Sequence, residues 1–244
     1  MLAIQGGESR EQARSHNSGS RPAAKCFAFG QTPGFGGGRF FALMKIKSAI
    51  FEVSSPDLKS CPNWNRPEFA FIGRSNVGKS SLINLLAEQK GLAMVSDKPG
   101  KTKLINFFIM NGSWCLVDLP GYGYASASKL DRHGFNVAVA DYIEQRETLR
   151  TVFVLIDSRL EPQKIDLDFL RWLGTCRTPF ALIFTKADKQ SATKTAANVK
   201  VFLARLTEWR EEPPTYYISS SVEKTGRSDV LNHIDQLLSK RAEA

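Results

Sequence analysis

The stretch Phe69-Ala70-Phe71-Ile72-Gly73-Arg74-Ser75-Asn76-Val77-Gly78-Lys79-Ser80-Ser81-Leu82-Ile83-Asn84-Leu85-Leu86 decides the fold. Its first four residues form a short apolar strand, Gly73 to Ser80 spell G-x-x-x-x-G-K-S, and Ser81 to Leu86 open a helix. This strand–loop–helix setting distinguishes a phosphate loop from a glycine-rich turn that happens to hold a lysine. The glycines let the backbone curl, so that the N–H groups of Gly73, Arg74, Ser75, Asn76, Val77, Gly78, Lys79 and Ser80 can face an anion. The N-terminus of the following helix favours the same anion. Lys79 then neutralises β- and γ-phosphate charge, and the Ser80 hydroxyl is placed to ligate Mg2+.

Outward from this unit, dense apolar runs bounded by breakers recur at 104–110, 114–117, 152–156, 180–184 and 216–218. Such runs suit strands buried on both faces. Helix-length segments accompany them at 80–89, 135–147, 164–173, 193–210 and 229–240. In the last of these, Val230, Ile234, Leu237 and Leu238 share one face. The alternation predicts an α/β domain: a mostly parallel six-stranded sheet with helices on both faces. One strand is predicted antiparallel, because only Asn111-Gly112-Ser113 separates 104–110 from 114–117 and Asn-Gly favours a hairpin.

The chain has 244 residues, 42% of them hydrophobic, and a net charge of +9. That suffices for one sizeable core with an appendage and excludes a wholly disordered chain. Cys26, Cys61, Cys115 and Cys176 stand 35 or more residues apart. This excludes a zinc ribbon or a Cys-x-x-Cys redox pair and suits free thiols in a reducing, cytoplasmic setting. No apolar run approaches the ~18–20 residues of a membrane-spanning helix. The basic balance fits an anionic partner such as nucleic acid, a membrane surface or a phosphorylated ligand. Residues 1–43 hold 8 of the 18 glycines and little periodicity, which predicts a flexible extension ahead of a folded domain over 44–244. The first seven residues lack the apolar core of a secretory signal. A transit peptide and a start at Met44 are the other readings of this segment.

Two further motifs follow the phosphate loop. The 180–184 strand runs into Thr185, Lys186, Ala187 and Asp188. A carboxylate at Asp188 can accept two hydrogen bonds from the ring N–H and amino group of guanine, and it would stand unpaired against adenine. Lys186 can lay its stem along the base. The competing reading makes Asp188 an ordinary helix N-cap. The 114–117 strand runs into Asp118, Leu119, Pro120 and Gly121, where the acid can approach Mg2+ through water and the Gly121 N–H is available to a γ-phosphate. The polar loop around Gly100, Lys101, Thr102, Lys103 and Leu104 offers Thr102 as a second hydroxyl ligand, with Ser96 as a rival.

The order of these motifs, closed by Ser219-Ser220, is similar to that of translation-factor-type GTPases. The fuller strings Gly-Arg-Ser-Asn-Val-Gly-Lys-Ser-Ser-Leu-Ile-Asn from Gly73, Pro-Gly-Lys-Thr-Lys-Leu-Ile-Asn-Phe-Phe from Pro99, and Val-Asp-Leu-Pro-Gly-Tyr-Gly-Tyr-Ala from Val117 resemble the bacterial EngB family. That family sits within the TrmE-Era-EngA-EngB-Septin-like superfamily. The resemblance spans roughly 46–240 and implies a P-loop G domain that binds GTP and GDP, assists assembly of the large ribosomal subunit and supports cell division and septation. It also implies nucleotide contacts at Ile218, Ser219 and Ser220 besides the residues above, and Mg2+ on Ser80 and Thr102. A ribosomal precursor of rRNA and proteins is the implied partner, and a monomer is expected.

Hydrolysis to GDP and phosphate is expected from Lys79, Thr102, Gly121 and Asn76. Tyr122 occupies the position where Ras-like enzymes place a water-orienting glutamine, so turnover is expected to be slow without an activator. In related GTPases an asparagine at the position of Asn76 helps hold K+ in place of an arginine finger. Otherwise Asn76 reads as a turn residue that tolerates a left-handed backbone. His16, His133 and His233 are scattered and form no nucleophile set. An ATP-dependent transferase is opposed by Asp188. A basic RNA-binding module with merely structural nucleotide is the alternative, drawing on Lys186, Lys189, Lys194, Lys200, Arg205 and Arg210.

Overall fold

The computed structural model describes residues 44–94, 104–122 and 136–239. Within them lie strands β1 (Ala49–Ser55), β2 (Glu68–Gly73), β3 (Ile105–Met110), β4 (Trp114–Asp118), β5 (Leu149–Asp157), β6 (Phe180–Thr185) and β7 (Tyr216–Ile218). The helices are α1 (Lys79–Ala87), α2 (Val137–Gln145), α3 (Lys164–Leu173), α4 (Ala192–Leu206) and α5 (Arg227–Ser239).

The strands form one sheet in the order β1-β3-β4-β2-β5-β6-β7. β3 runs antiparallel to both of its neighbours, and the pairs from β4 through β7 are parallel. The single antiparallel strand therefore matches the hairpin expectation. Asn111 (φ 51°) and Gly112 (φ 67°) both take left-handed backbone at the turn, as a tight hairpin requires. The sheet has seven strands rather than six. The extra strand, β1, lies at the edge, leaves Ile50, Phe51 and Glu52 exposed, and breaks register between Phe51 and Val53. It therefore lacks the dense apolar signature of the buried strands.

Alternation along each central strand sends neighbouring side chains to opposite faces. Ala70, Ile72, Val152, Val154, Ile156, Leu182 and Phe184 join α2, α3 and α4 in one core cluster. Phe69, Phe71, Phe153, Leu155, Ala181 and Ile183 join α1 and α5 in the other. This two-sided burial explains why these strands read as continuous apolar runs. Two polar devices fasten the scaffold. Glu68, fully buried at the start of β2, accepts from Trp64 Nε1 (2.7 Å), Tyr142 Oη (2.5 Å) and the Arg146 guanidinium (Nη2, 2.5 Å). Arg227, the first residue of α5, donates to the carbonyls of Leu85 (3.0 Å) and Leu86 (3.1 Å) in the last turn of α1, where a helix end is short of intrahelical donors. The phosphate-loop helix is thus held from behind.

Candidate functional site

β2 ends at Gly73 and α1 begins at Lys79, so Arg74 to Gly78 must reverse the chain within five residues. Asn76 (φ 61°) and Gly78 (φ 102°) supply the left-handed steps. Val77 is buried in the core, and its N–H donates to the Arg74 carbonyl (3.3 Å). The loop's carbonyls face its supports: Thr185 Oγ1 donates to the Val77 oxygen (2.6 Å), and Lys186 Nζ donates to the Asn76 oxygen (2.5 Å). Two loop carbonyls, those of Asn76 and Val77, are thus taken up by Lys186 and Thr185, and that of Arg74 by the Val77 N–H, which fixes the course of the loop backbone.

Lys79 and Asp118 are both buried, and Lys79 Nζ is ion-paired with Asp118 Oδ1. Ser80 follows in the first turn of α1 and is partly exposed. The Leu119 N–H bonds to the Phe71 carbonyl (3.0 Å), which carries the chain leaving β4 across the start of the loop. Gly121 then lies directly on the loop backbone: a Cβ there would sit 2.7 Å from the Gly73 oxygen and 3.5 Å from the Ser75 nitrogen. Only glycine permits that approach. Leu104 stands exposed just ahead of β3. Gly100, Lys101, Thr102, Lys103 and the rival Ser96 lie outside the described residues.

At the other end of the cleft, Asp188 lies in a short 3-10 turn, Ala187–Lys189. Its carboxylate accepts from Ser220 Oγ (2.8 Å) and faces Lys189 Nζ at 3.3 Å. The Ser220 hydrogen bond holds this carboxyl below the usual aspartate range. Ser220 Oγ in turn accepts from the Glu223 N–H (3.0 Å), and the Ala187 N–H donates to the Ser219 carbonyl (3.2 Å). Ile218 ends β7 at this rim, exposed. The N-cap of α4 is Ser191, not Asp188, so the helix-cap reading of Asp188 does not hold. Lys186 Nζ also meets Asp157 Oδ2 at 2.9 Å. Asp157 is largely desolvated, which opposes its charge, but hydrogen bonds from Arg159 and Lys186 prevail and hold its carboxyl down at about 2.

Tyr122 is buried, and its side chain packs on α3. Its ring stacks on Phe169 (centroids 4.3 Å apart), and its hydroxyl donates to Asp166 Oδ1 (2.8 Å). Burial pushes both the Tyr122 hydroxyl and the Asp166 carboxyl up from their ordinary ranges.

Sequence reading missed Asp157, Arg159 and Asp166. Asp157 carried a usable signal, an acid at the carboxyl end of a buried strand, just as Asp118 does. Asp166 carried none, because its partners lie 44 and 92 positions away in the chain. Among the described residues, no group of three or more His, Cys, Asp or Glu is arranged to hold a metal. Ser80, whose hydroxyl is the expected Mg2+ ligand, stands partly exposed in the first turn of α1. No helix among them is long and apolar enough to cross a membrane.

Residues 68–186, from the start of β2 to the lysine of the base motif, match the family described as 50S ribosome-binding GTPase. The probable GTP-binding protein EngB of Bacteroides fragilis is 54% identical over 194 residues, covering 80% of this chain and 96% of the relative. That of Phocaeicola vulgatus is 55% identical over 194 residues, covering 80% and 97%. Among solved structures, a probable GTP-binding protein engB matches with a TM-score of 0.50 at 21% identity, covering 71% of this chain and 99% of that one. Era in complex with MgGDPNP and a 16S ribosomal RNA segment matches with a TM-score of 0.52 at 20% identity, covering 69% and 55%. These two likenesses show the P-loop G-domain fold. The near-full-length identity to the curated relatives goes further, and the chain belongs to the EngB family of GTP-binding proteins, which are GTPases.

Proposed function

We propose that this GTPase is a guanine-nucleotide switch that assists assembly of the large ribosomal subunit and is needed for normal cell division and septation, working as a cytoplasmic monomer. The observation that carries the switch reading is the seat of Gly121 on Gly73 and Ser75, beside the Lys79–Asp118 pair. An arriving γ-phosphate must compete for Lys79 and meet the Gly121 N–H, so the segment leaving β4 responds to the third phosphate directly. In this reading Gly73 to Ser80 cradle the phosphates, Ser80 and Thr102 hold Mg2+, and Thr185 to Asp188 with Ile218 to Ser220 read the base. Bound Mg2+ offsets charge on the β- and γ-phosphates. Asn76 helps hold a K+ ion.

The ribosomal partner is supported by the description of the matched family, by the net charge of +9, and by the likeness to a GTPase solved with a ribosomal RNA segment. Co-sedimentation with large-subunit precursors tests it. The protein should pellet with the particles when loaded with a non-hydrolysable GTP analogue and be released by GDP. Equal pelleting in the GTP-analogue, GDP and nucleotide-free states would overturn the switch, and no pelleting in any state would overturn the partner.

A further inference from the structure

Tyr122 stands where a water-orienting glutamine is expected, yet it is built into the protein rather than into the cleft. One buried carboxylate connects it to the phosphate loop. Asp166 of α3 is 3% exposed, accepts the Tyr122 hydroxyl at 2.8 Å, and faces Arg74 Nε at 3.7 Å through the same oxygen. Three segments far apart in sequence therefore meet at Asp166 Oδ1: the second residue of the phosphate loop, the residue after Gly121, and the first turn of α3. Gly121 itself has no slack against the loop, because a Cβ there would meet the Gly73 oxygen at 2.7 Å.

We propose that Asp166 is a positioning residue for GTP hydrolysis, which through the Tyr122 hydroxyl fixes Gly121 on the phosphate loop and through Arg74 ties that loop to α3. The brace works on both sides of Gly121. The loop backbone holds one side, and the Tyr122 side chain, clamped between Phe169 and Asp166, holds the other. The bulky ring is kept out of the space that an attacking water needs, and the Gly121 N–H keeps one position. Arg74, with its side chain only 28% exposed, supplies the countercharge that lets the carboxylate stay buried. Because the brace acts at the γ-phosphate end, GDP, which lacks that group, should not sense its loss. This inference rests on the reading of Gly121 as a γ-phosphate contact.

The test compares Tyr122→Phe, Asp166→Asn, Asp166→Ala and Gly121→Ala by single-turnover GTP hydrolysis, steady-state kcat and KM, and GDP titration. Tyr122→Phe keeps the ring stack and deletes only the donor, so kcat should fall roughly tenfold while GTP KM and GDP affinity stay within about twofold. Asp166→Asn retains an acceptor for the Tyr122 hydroxyl and should recover most of the turnover that Asp166→Ala loses. Combining Tyr122→Phe with Asp166→Ala should cost no more than the worse of the two alone. Unchanged kcat in Tyr122→Phe would overturn the brace, as would equal losses of turnover and GDP affinity, which mark a merely structural role. Gly121→Ala separates the two levels. If it abolishes hydrolysis while Tyr122→Phe is normal, only the brace falls; if it hydrolyses GTP normally, the reading of Gly121 falls and the brace with it.

Discussion

The two ends of the nucleotide cleft are built differently. At the base end the functional groups are already satisfied by each other: Asp188 by Ser220, Ser220 by Glu223 and Thr225, and Lys186 by Asn76 and Asp157. These bonds fix the Asp188 carboxylate, so in its proposed role as the guanine acceptor it needs little rearrangement. At the phosphate-loop end the central pair is Lys79 with Asp118, two buried opposite charges that an arriving triphosphate parts in the proposed reading. In that reading one end is preorganised to read and the other exchanges partners. Affinity and specificity should therefore respond to substitutions at different ends, and switching should respond mainly to the phosphate end.

The largest effect is expected where the exchangeable pair is cut. Lys79→Ala removes the cation that phosphate would capture and leaves the Asp118 carboxylate buried without it. GDP affinity should drop by roughly a hundredfold or more in a fluorescent-GDP titration. Near-normal binding would erase the contrast, since the phosphate end would then carry little of the affinity.

At the base end, Asp188→Asn should change the preference more than the fold. The amide can still accept from Ser220, but it reverses one donor–acceptor relation with the base. GDP affinity should fall by roughly tenfold to a hundredfold, and xanthosine diphosphate should gain on it. Competition titration with both nucleotides decides this, and an unchanged preference for guanine would mean that the Asp188–Ser220 pair is structural only.

The sequence exposed some of this contrast and hid the rest for physical reasons. The phosphate loop, the Asp118 to Gly121 turn and the Thr185 to Asp188 turn were legible because each is a contiguous string at the end of a strand buried on both faces. The α3 boundaries, 164–173, were legible too, whereas the other helices are displaced by one to four residues at both ends. Edge strand β1 was not legible, because it covers no core on its outer side and its bulge breaks the alternation. The braces were invisible because each joins residues of ordinary type across long chain separations: Arg146 with Glu68, Tyr122 with Asp166, and Lys186 with Asp157. A string shows what can touch phosphate; only the fold shows what holds the string.

A smaller effect should mark the boundary between the two ends. Asn76 takes a left-handed backbone, its carbonyl belongs to Lys186, and the residue is exposed. In the proposed reading its amide side chain helps hold a monovalent cation that offsets charge developing on the phosphates. GTP turnover should be several-fold faster in K+ than in Na+ at equal ionic strength. Asn76→Ala should erase that difference while largely sparing GDP binding. Equal rates in both salts would place the sensitivity of the phosphate end in Gly121 and its brace alone.

The smallest effect is expected from the largest change, removal of residues 1–43. The described fold begins with its own anchor. The side chain of Asn111 donates to the Lys45 carbonyl (2.8 Å) and accepts from the N–H groups of Lys47 (2.7 Å) and Ser48 (3.3 Å), while Met44 and Ile46 pack against the α1–α5 side of the core. Asn111 also makes the turn of the β3–β4 hairpin, so the start of the domain and its antiparallel strand are fastened by one residue. A chain starting at Met44 keeps every one of these contacts and both ends of the cleft. Its melting temperature and GDP affinity should equal those of the full chain within error, by thermal unfolding and nucleotide titration. Asn111→Ala in the same shortened chain should lower the melting temperature by several degrees, because three hydrogen bonds and a left-handed turn residue are lost together. If the truncation instead lowers both stability and GDP affinity, residues 1–43 contribute to the domain itself, and the two ends of the cleft are not its only determinants of binding.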